Sequence, residues 1–249
     1  MRKAIVYQNY IFDLYGTLFD IRTDEDKKSL WKQMAAFYTF NGALYKPKHF
    51  KKKYCEYAQA EKETVIQEHP EYTKIDIEIK NVFKKLYTDC GVTPSKELVE
   101  VTARLFRCLS TTMQVKPYKG VFELFDELHK KGKKIFLLSN AQRSFTEPEL
   151  RSAGIYDKFD GVLISSDELC CKPDTAFYQK LFDKYGLKKE ESIMVGNDAT
   201  SDIKGANDFG IDSLYIHTEI SPQPMPKHPG STYVIKDGDF RKISKLIVR

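Results

Sequence analysis

Long apolar runs are missing from this 249-residue chain: none approaches the ~20 residues that a membrane span needs. The opening MRKAIVYQNY also lacks the apolar core and small-residue cleavage site of a signal peptide, so a cytoplasmic protein is expected. Cysteine is scarce. The five present are an odd number without CxxC or His-rich spacing, which argues against both a disulfide framework and a zinc site. Cys170 and Cys171 are adjacent, a geometry that bridges only under strain, so ordinary thiols are expected and a redox role is the alternative. Thirteen glycines and ten prolines are too few for a collagenous or low-complexity chain. No excess of one charge stands out either, since 40 Lys and Arg face 35 Asp and Glu for a net +5. The lysine groups at 46–53 and 130–134 read as solvated faces, so neither nucleic acid nor membrane is expected as a partner.

What is present is a globular composition, 41% hydrophobic with 13% aromatic, long enough for one large domain or a core carrying a smaller one. The run Asn9–Leu14 reads as a buried strand stopped by Tyr15-Gly16-Thr17. Four helical stretches follow without a convincing strand, near 26–41, 47–68, 74–90 and 95–112. Thr93-Pro94 reads as the N-cap and first position of the fourth. After Pro117 the pattern changes. Strands are expected at Lys134–Leu138, Val162–Ser165, Ser192–Val195, Ser213–Ile216 and Thr232–Ile235, with helices near 120–131, 144–153, 174–186 and 201–209. Alternation of continuous apolar strands with helices predicts an α/β fold with a doubly wound parallel sheet. The all-helical insert then interrupts it after the first strand: core at 1–19 and 117–249, cap at 20–116. The first six residues are a short strand or a tail, and Ser221–Gly230 is a proline-rich loop.

Open α/β sheets bind ligands beyond the carboxyl ends of their strands. The residues just after the expected strands are Asp13, then Ser139 and Asn140, then Lys172 beyond a short loop, then Gly196, Asn197 and Asp198, with Asp202 following. One such residue is usually a turn-former or cap. Several converging from separate strands point to a catalytic rim.

The runs FDLYGTLFD (Phe12–Asp20), LLSN (Leu137–Asn140), KPD (Lys172–Asp174) and VGNDATSDIKGA (Val195–Ala206) resemble, in order and setting, the motifs of the haloacid dehalogenase-like hydrolases. The resemblance implies a Rossmann-type core with a helical cap. It implies Asp13 as a nucleophile forming a covalent aspartyl intermediate, with Thr17 and Ser139, and less strongly Asn140, holding the transferred group. Lys172 would neutralise charge on nucleophile and substrate.

Two departures from the family pattern pull apart. Phosphatases carry a general acid two residues after the nucleophile, where this chain has Tyr15, a poor replacement. The haloacid dehalogenase branch has a tyrosine there, since a leaving halide needs no proton, and Tyr178 resembles a substrate-binding tyrosine of that branch. Against that, Asn197 and Asp198 resemble the Mg²⁺-binding motif of the phosphatases, and Asp13, Asp198 and the Tyr15 carbonyl suffice for Mg²⁺. Asp202 would hold Lys172 or metal-bound water from behind. Dehalogenases also need a cap arginine, whereas Leu30-Trp31-Lys32-Gln33 offers a lysine, which is no substitute in bidentate carboxylate recognition. Trp31 itself reads as cap core rather than as a substrate contact. The expectation is a Mg²⁺-dependent phosphatase of a small phosphorylated metabolite. A metal-independent dehalogenase of 2-halo acids and a catalytically weakened ligand-binding protein are the alternatives.

Overall fold

The computed structural model describes residues 6–112 and 115–248. Six strands form one parallel sheet in the order β5-β4-β1-β6-β7-β8, where β1 is Asn9–Phe12, β4 Lys134–Ser139, β5 Gly161–Ile164, β6 Ser192–Gly196, β7 Asp212–Ile216 and β8 Tyr233–Ile235. A strand alternates its side chains between two faces, so both faces must be apolar and covered. Tyr10, Phe12, Ile135, Leu137, Ile193 and Val195 pack on one side with α5 (Val121–Lys130) and α10 (Arg241–Ile247). Ile11, Phe136, Leu138 and Met194 pack on the other with α8 (Thr175–Tyr185) and α9 (Lys204–Phe209). β1 lies at the centre of the sheet, hydrogen-bonded to β4 and β6, which puts the residue after it at the middle of the rim.

The chain leaves the core at β2 (Phe19–Asp20) and returns at β3 (Lys116–Pro117), which pair as a short antiparallel ribbon. Between them lie α1 (Lys28–Phe40), α2 (Pro47–Glu68), α3 (Ile79–Thr88) and α4 (Lys96–Ser110), packed around a second hydrophobic core that includes Trp31, Phe50, Phe83 and Phe106. Trp31 is buried there, with its indole N–H donating to the Glu25 carbonyl at 2.7 Å. The remaining core helices are α6 (Arg143–Ser152) and the one-turn α7 (Ser165–Glu168).

Several boundaries differ from expectation for physical reasons. The third helix starts at Ile79, not near 74, because Lys74–Ile77 is drawn out alongside the loop that follows α7. The fourth starts at Lys96, since Ser95 rather than Thr93 caps it through the Leu98 N–H. Ser165 opens a helical turn instead of ending a strand. The helix expected from 201 begins as a π-turn, Ala199–Ile203, before α9. The strand or tail considered at the N-terminus falls, for residues 1–5, outside the described residues.

Candidate active site

Asp13 follows β1 directly and is nearly buried. Its Oδ1 accepts a hydrogen bond from Lys172 Nζ at 2.7 Å, and its Oδ2 accepts one from the Thr17 hydroxyl at 2.9 Å. The carboxylate is therefore held at both oxygens. Lys172 is also 2.8 Å from Asp202 Oδ1 and donates to the Leu138 carbonyl at 2.7 Å. Burial alone would depress the Lys172 ammonium, but Asp13 and Asp202 more than offset it and hold the group above the usual lysine range. Burial pushes the Asp202 carboxyl up to about 7, with Lys172 pulling against it and Asp13 adding to it. One cation thus serves two carboxylates, and the second carboxylate carries the strain of sharing.

Two glycines permit this closeness. A side chain at Gly196 would place its Cβ 2.4 Å from the Asp202 carboxyl. Gly16 turns the chain at φ +86°, and a Cβ there would meet the Asn197 amide at 2.3 Å.

A cleft of about 300 Å³ opens over this cluster, lined by Asp13, Tyr15, Asn140, Lys172, Asn197 and Asp198, with Ser201, Asp202, Ile220 and Pro222 at its sides. Asn197 and Asp198 stand where the sequence places them, after β6. The Asn197 Oδ1 accepts from Thr17 at 3.2 Å and its amide donates to Ser221, while Asp198 Oδ1 accepts from the Thr200 N–H and hydroxyl, both at 2.7 Å. No group of three or more His, Cys, Asp or Glu side chains forms a metal cluster among the described residues. The expected donor set contains only two carboxylates, with an amide and a carbonyl beside them. Such hard oxygen donors around one polar cleft fit Mg²⁺, which keeps waters and substrate oxygens in its shell.

Three sequence expectations change in detail. Thr17 is fully buried with its hydroxyl committed to Asp13 and Asn197, so it fixes the Asp13 carboxylate and does not line the cleft. Asn140 lines the cleft, but its amide pairs with the Lys172 main chain in both directions, at 2.8 and 2.9 Å, and so shapes the lysine loop. Tyr178 lies wholly inside, its hydroxyl donating to the Asp202 carbonyl and its ring against Gly205, which corrects its assignment to substrate. Ser139, by contrast, is buried with a hydroxyl that has no partner among the described residues.

Tyr15 has a different occupation. Its hydroxyl donates to Glu149 at 2.5 Å and lies 3.2 Å from the Thr146 hydroxyl, both on α6. Burial first, then the Glu149 carboxylate, push the phenol far above the ordinary tyrosine range, so it is a still poorer acid than free tyrosine. Arg107, from α4 of the cap, stacks 4.9 Å over the same ring and pairs with Glu149 at 2.6 and 3.2 Å. The sequence carried no signal for Arg107: its helical face is shared with ordinary packing residues, and only the fold brings it to Tyr15. On the opposite side, Asp174 Oδ2 accepts from Thr73 N–H, Thr73 hydroxyl and Lys74 N–H, and Cys171 N–H donates to the Lys74 carbonyl. The stretch that carries Lys172 is therefore stitched to the cap. The neighbouring thiols are unsuited to redox work: burial pushes Cys171 up to about 11 and Cys170 to about 12.

The family model described as haloacid dehalogenase-like hydrolase matches residues 7–210. The chain belongs to that family. Among curated relatives, pyrimidine 5'-nucleotidase PynA of Streptococcus pneumoniae is 30% identical over 118 residues, covering 46% of this chain and 50% of the relative. The (S)-2-haloacid dehalogenase of Pseudomonas sp. (strain YL) is 25% identical over 218 residues, covering 83% of this chain and 81% of the relative. A solved HAD phosphatase from Thermococcus onnurineus superposes with TM-score 0.59 at 13% identity, over 96% of this chain and 97% of that one, and shows the shared fold. For several of these relatives, PynA included, the match spans only about half their length. This haloacid dehalogenase-like hydrolase thus has both phosphatases and a dehalogenase among its relatives.

Proposed function

We propose that the protein is a Mg²⁺-dependent phosphatase acting on a small phosphorylated metabolite through an aspartyl-phosphate on Asp13. The observation that carries this is the lining of the cleft. Asp13, Asn140, Asn197, Asp198, Ser201 and Asp202 surround Lys172, and only Ile220, Pro222 and the Tyr15 ring are apolar. The halogen-bearing carbon of a 2-halo acid gains nothing from such walls and its carboxylate has only two oxygens to satisfy, whereas a phosphoryl group needs polar partners for three. Asp13 Oδ1 or Oδ2 forms the new bond to phosphorus as the bond to the leaving oxygen breaks, and Lys172 stays in place to offset the accumulating negative charge. Thr17 fixes the orientation of the attacking carboxylate. Ser139, with its free hydroxyl, donates to a phosphoryl oxygen.

Asp13, Asn197, Asp198 and the Tyr15 carbonyl are the residues that would hold Mg²⁺, which supplies charge neutralisation at the phosphoryl group. The side chain at the usual acid position donates no proton to the leaving oxygen, because the Tyr15 hydroxyl is turned to Glu149. Aryl phosphates, whose leaving groups need no proton, are therefore turned over faster than alkyl phosphates of equal affinity. The second reading, dehalogenation, is favoured by that same tyrosine. Hydrolysis of an aryl phosphate with Mg²⁺ and with excess chelator, in wild type and Asp13→Asn, separates the two. Turnover that needs both supports the phosphatase. Its absence, with chloride release from 2-chloropropionate, would replace it by the dehalogenase, and ligand binding without either turnover would leave a binding protein.

A further inference from the structure

We infer that the far end of the cap is a docking surface for anionic phospholipid membranes. Residues 27–53 contain eight lysines and neither Asp nor Glu, so this one stretch holds +8 of a chain whose net charge is +5. Lys51, Lys52 and Lys53 pair with the flanking Asp26 and Glu56, so the uncompensated charge near the following turn lies on Lys32, Lys46 and Lys48. The same stretch carries the two most exposed large apolar side chains of the described protein, Phe40 at 90% and Leu44 at 79%.

Their exposure is built in. Ala43 and Tyr45 on either side of Leu44 are buried. The Tyr45 hydroxyl is tied to the Leu86 carbonyl at 2.8 Å, and the Ala43 N–H donates to the Tyr38 carbonyl at 2.9 Å. A turn pinned in this way aims Leu44 outward. On α1, the exposed positions Lys32, Ala36 and Phe40 recur every fourth residue and lead along one face to that turn. Beyond it come exposed Lys46 and Lys48, and among the described residues no acidic side chain pairs with Lys32, Lys46 or Lys48.

The location suits a surface contact. The 22 residues of α2 run from this turn to the stretch at 73–77 that is joined to the core, a length of about 33 Å. The apolar pair and its lysines thus sit at the end of the cap away from the catalytic rim, and occupancy leaves the cleft open to solution.

The chemistry selects among occupants. All eight cations are lysine. Lysine acts as a hydrated point charge that suits a diffuse anionic surface, whereas bidentate phosphate recognition on nucleic acid favours arginine. Two protruding apolar side chains beside long basic ones match insertion at the headgroup boundary. A second copy of the chain would bring the same lysines face to face.

The inference does not depend on which reaction the site performs, and its test is sedimentation of the full chain with phospholipid vesicles at about 0.1 M salt. Wild type should sediment with phosphatidylcholine vesicles containing about 30% phosphatidylserine and stay in solution with pure phosphatidylcholine. Phe40→Ser with Leu44→Ser should weaken that binding about tenfold, and Lys32→Gln with Lys46→Gln and Lys48→Gln about a hundredfold, both with wild-type thermal unfolding. Absence of binding to the anionic vesicles, or undiminished binding by the double serine variant, would overturn the inference. So would lipid-free dimerisation abolished by that variant, or binding of a single-stranded oligonucleotide in place of vesicles.

Discussion

Core and cap are built from comparable apolar material but are held to different standards of placement. At the rim of the core, Asp13, Thr17, Lys172, Asp202 and Asn197 each have a named partner within 3.2 Å, and glycine at 16 and 196 is required for the approach. The cap instead holds together by a cluster of aromatic rings, Trp31, Tyr54, Phe83 and Phe106 among them, with centroids 5.1–6.0 Å apart where they touch. Close hydrogen-bonded geometry tolerates almost no substitution, whereas ring packing tolerates volume-conserving change. The lesson is that the hydrogen-bonded rim of the core constrains its residues one by one, while the cap constrains mainly the volume its rings fill.

Removing the shared cation tests the core side most severely. Lys172→Met should lower kcat on an aryl phosphate by about a thousandfold and cost about 3–5 kcal/mol in denaturant unfolding, since two buried carboxylates are left facing each other. Adding Asp202→Asn should restore much of the stability and none of the turnover. If it restored turnover as well, Lys172 would be structural only.

The cap side breaks through its packing. Phe83→Ala should cost about 3–5 kcal/mol by leaving a cavity among the rings, read as an earlier unfolding transition of the cap helices. A more cautious change, Phe83→Leu, should cost less than half as much and leave turnover near wild type. Equal damage from both would contradict the contrast with the core.

The seam between the two regions should respond more mildly. Arg107→Ala leaves the Glu149 carboxylate without its cap partner and the Tyr15 ring uncovered, so a loss of about 1–3 kcal/mol and a raised KM are expected. Arg107→Lys should recover part of the stability but not the stacking on Tyr15. The smallest effect is chemical. Cys171, pushed up to about 11, and the buried Cys170 should alkylate far more slowly at pH 8 than the exposed Cys55 and Cys108. The thiolate fraction of Cys171 rises tenfold per pH unit below 11, so its rate should climb in step, and a flat profile would refute the buried setting.

The same division governs how much could be read in advance. The five core strands between 134 and 235 and the full extent of α2 follow from local periodicity, and the rim residues follow from strand ends. α3 starts later than its composition suggests because Lys74–Ile77 takes its hydrogen bonds from the distant loop at 169–174. Tyr178 resembles a substrate-binding tyrosine of the dehalogenase branch, but an aromatic six residues beyond Lys172 has no burial written into it. The pairing of Arg107 with Glu149 and Tyr15, and the three donors gathered by Asp174, depend on residues 42 to 101 positions apart and leave no local trace. The β2–β3 ribbon and α10 are too short for periodicity to reveal.

The central position of β1 carries a consequence for biosynthesis. Both its sheet neighbours lie far downstream, the nearer one starting 125 residues after it, at Lys134 against Asn9. At a ribosomal rate of about 5–20 residues per second, this apolar strand waits roughly 6–25 s after emerging before either edge can be covered. The cap is complete before β4 exists, so it folds first and the strand hangs from it unpaired. A newly made chain is therefore most exposed to aggregation through the strand that will sit at the middle of its sheet, and chaperone demand should fall on the interval between the end of α4 and the arrival of β4.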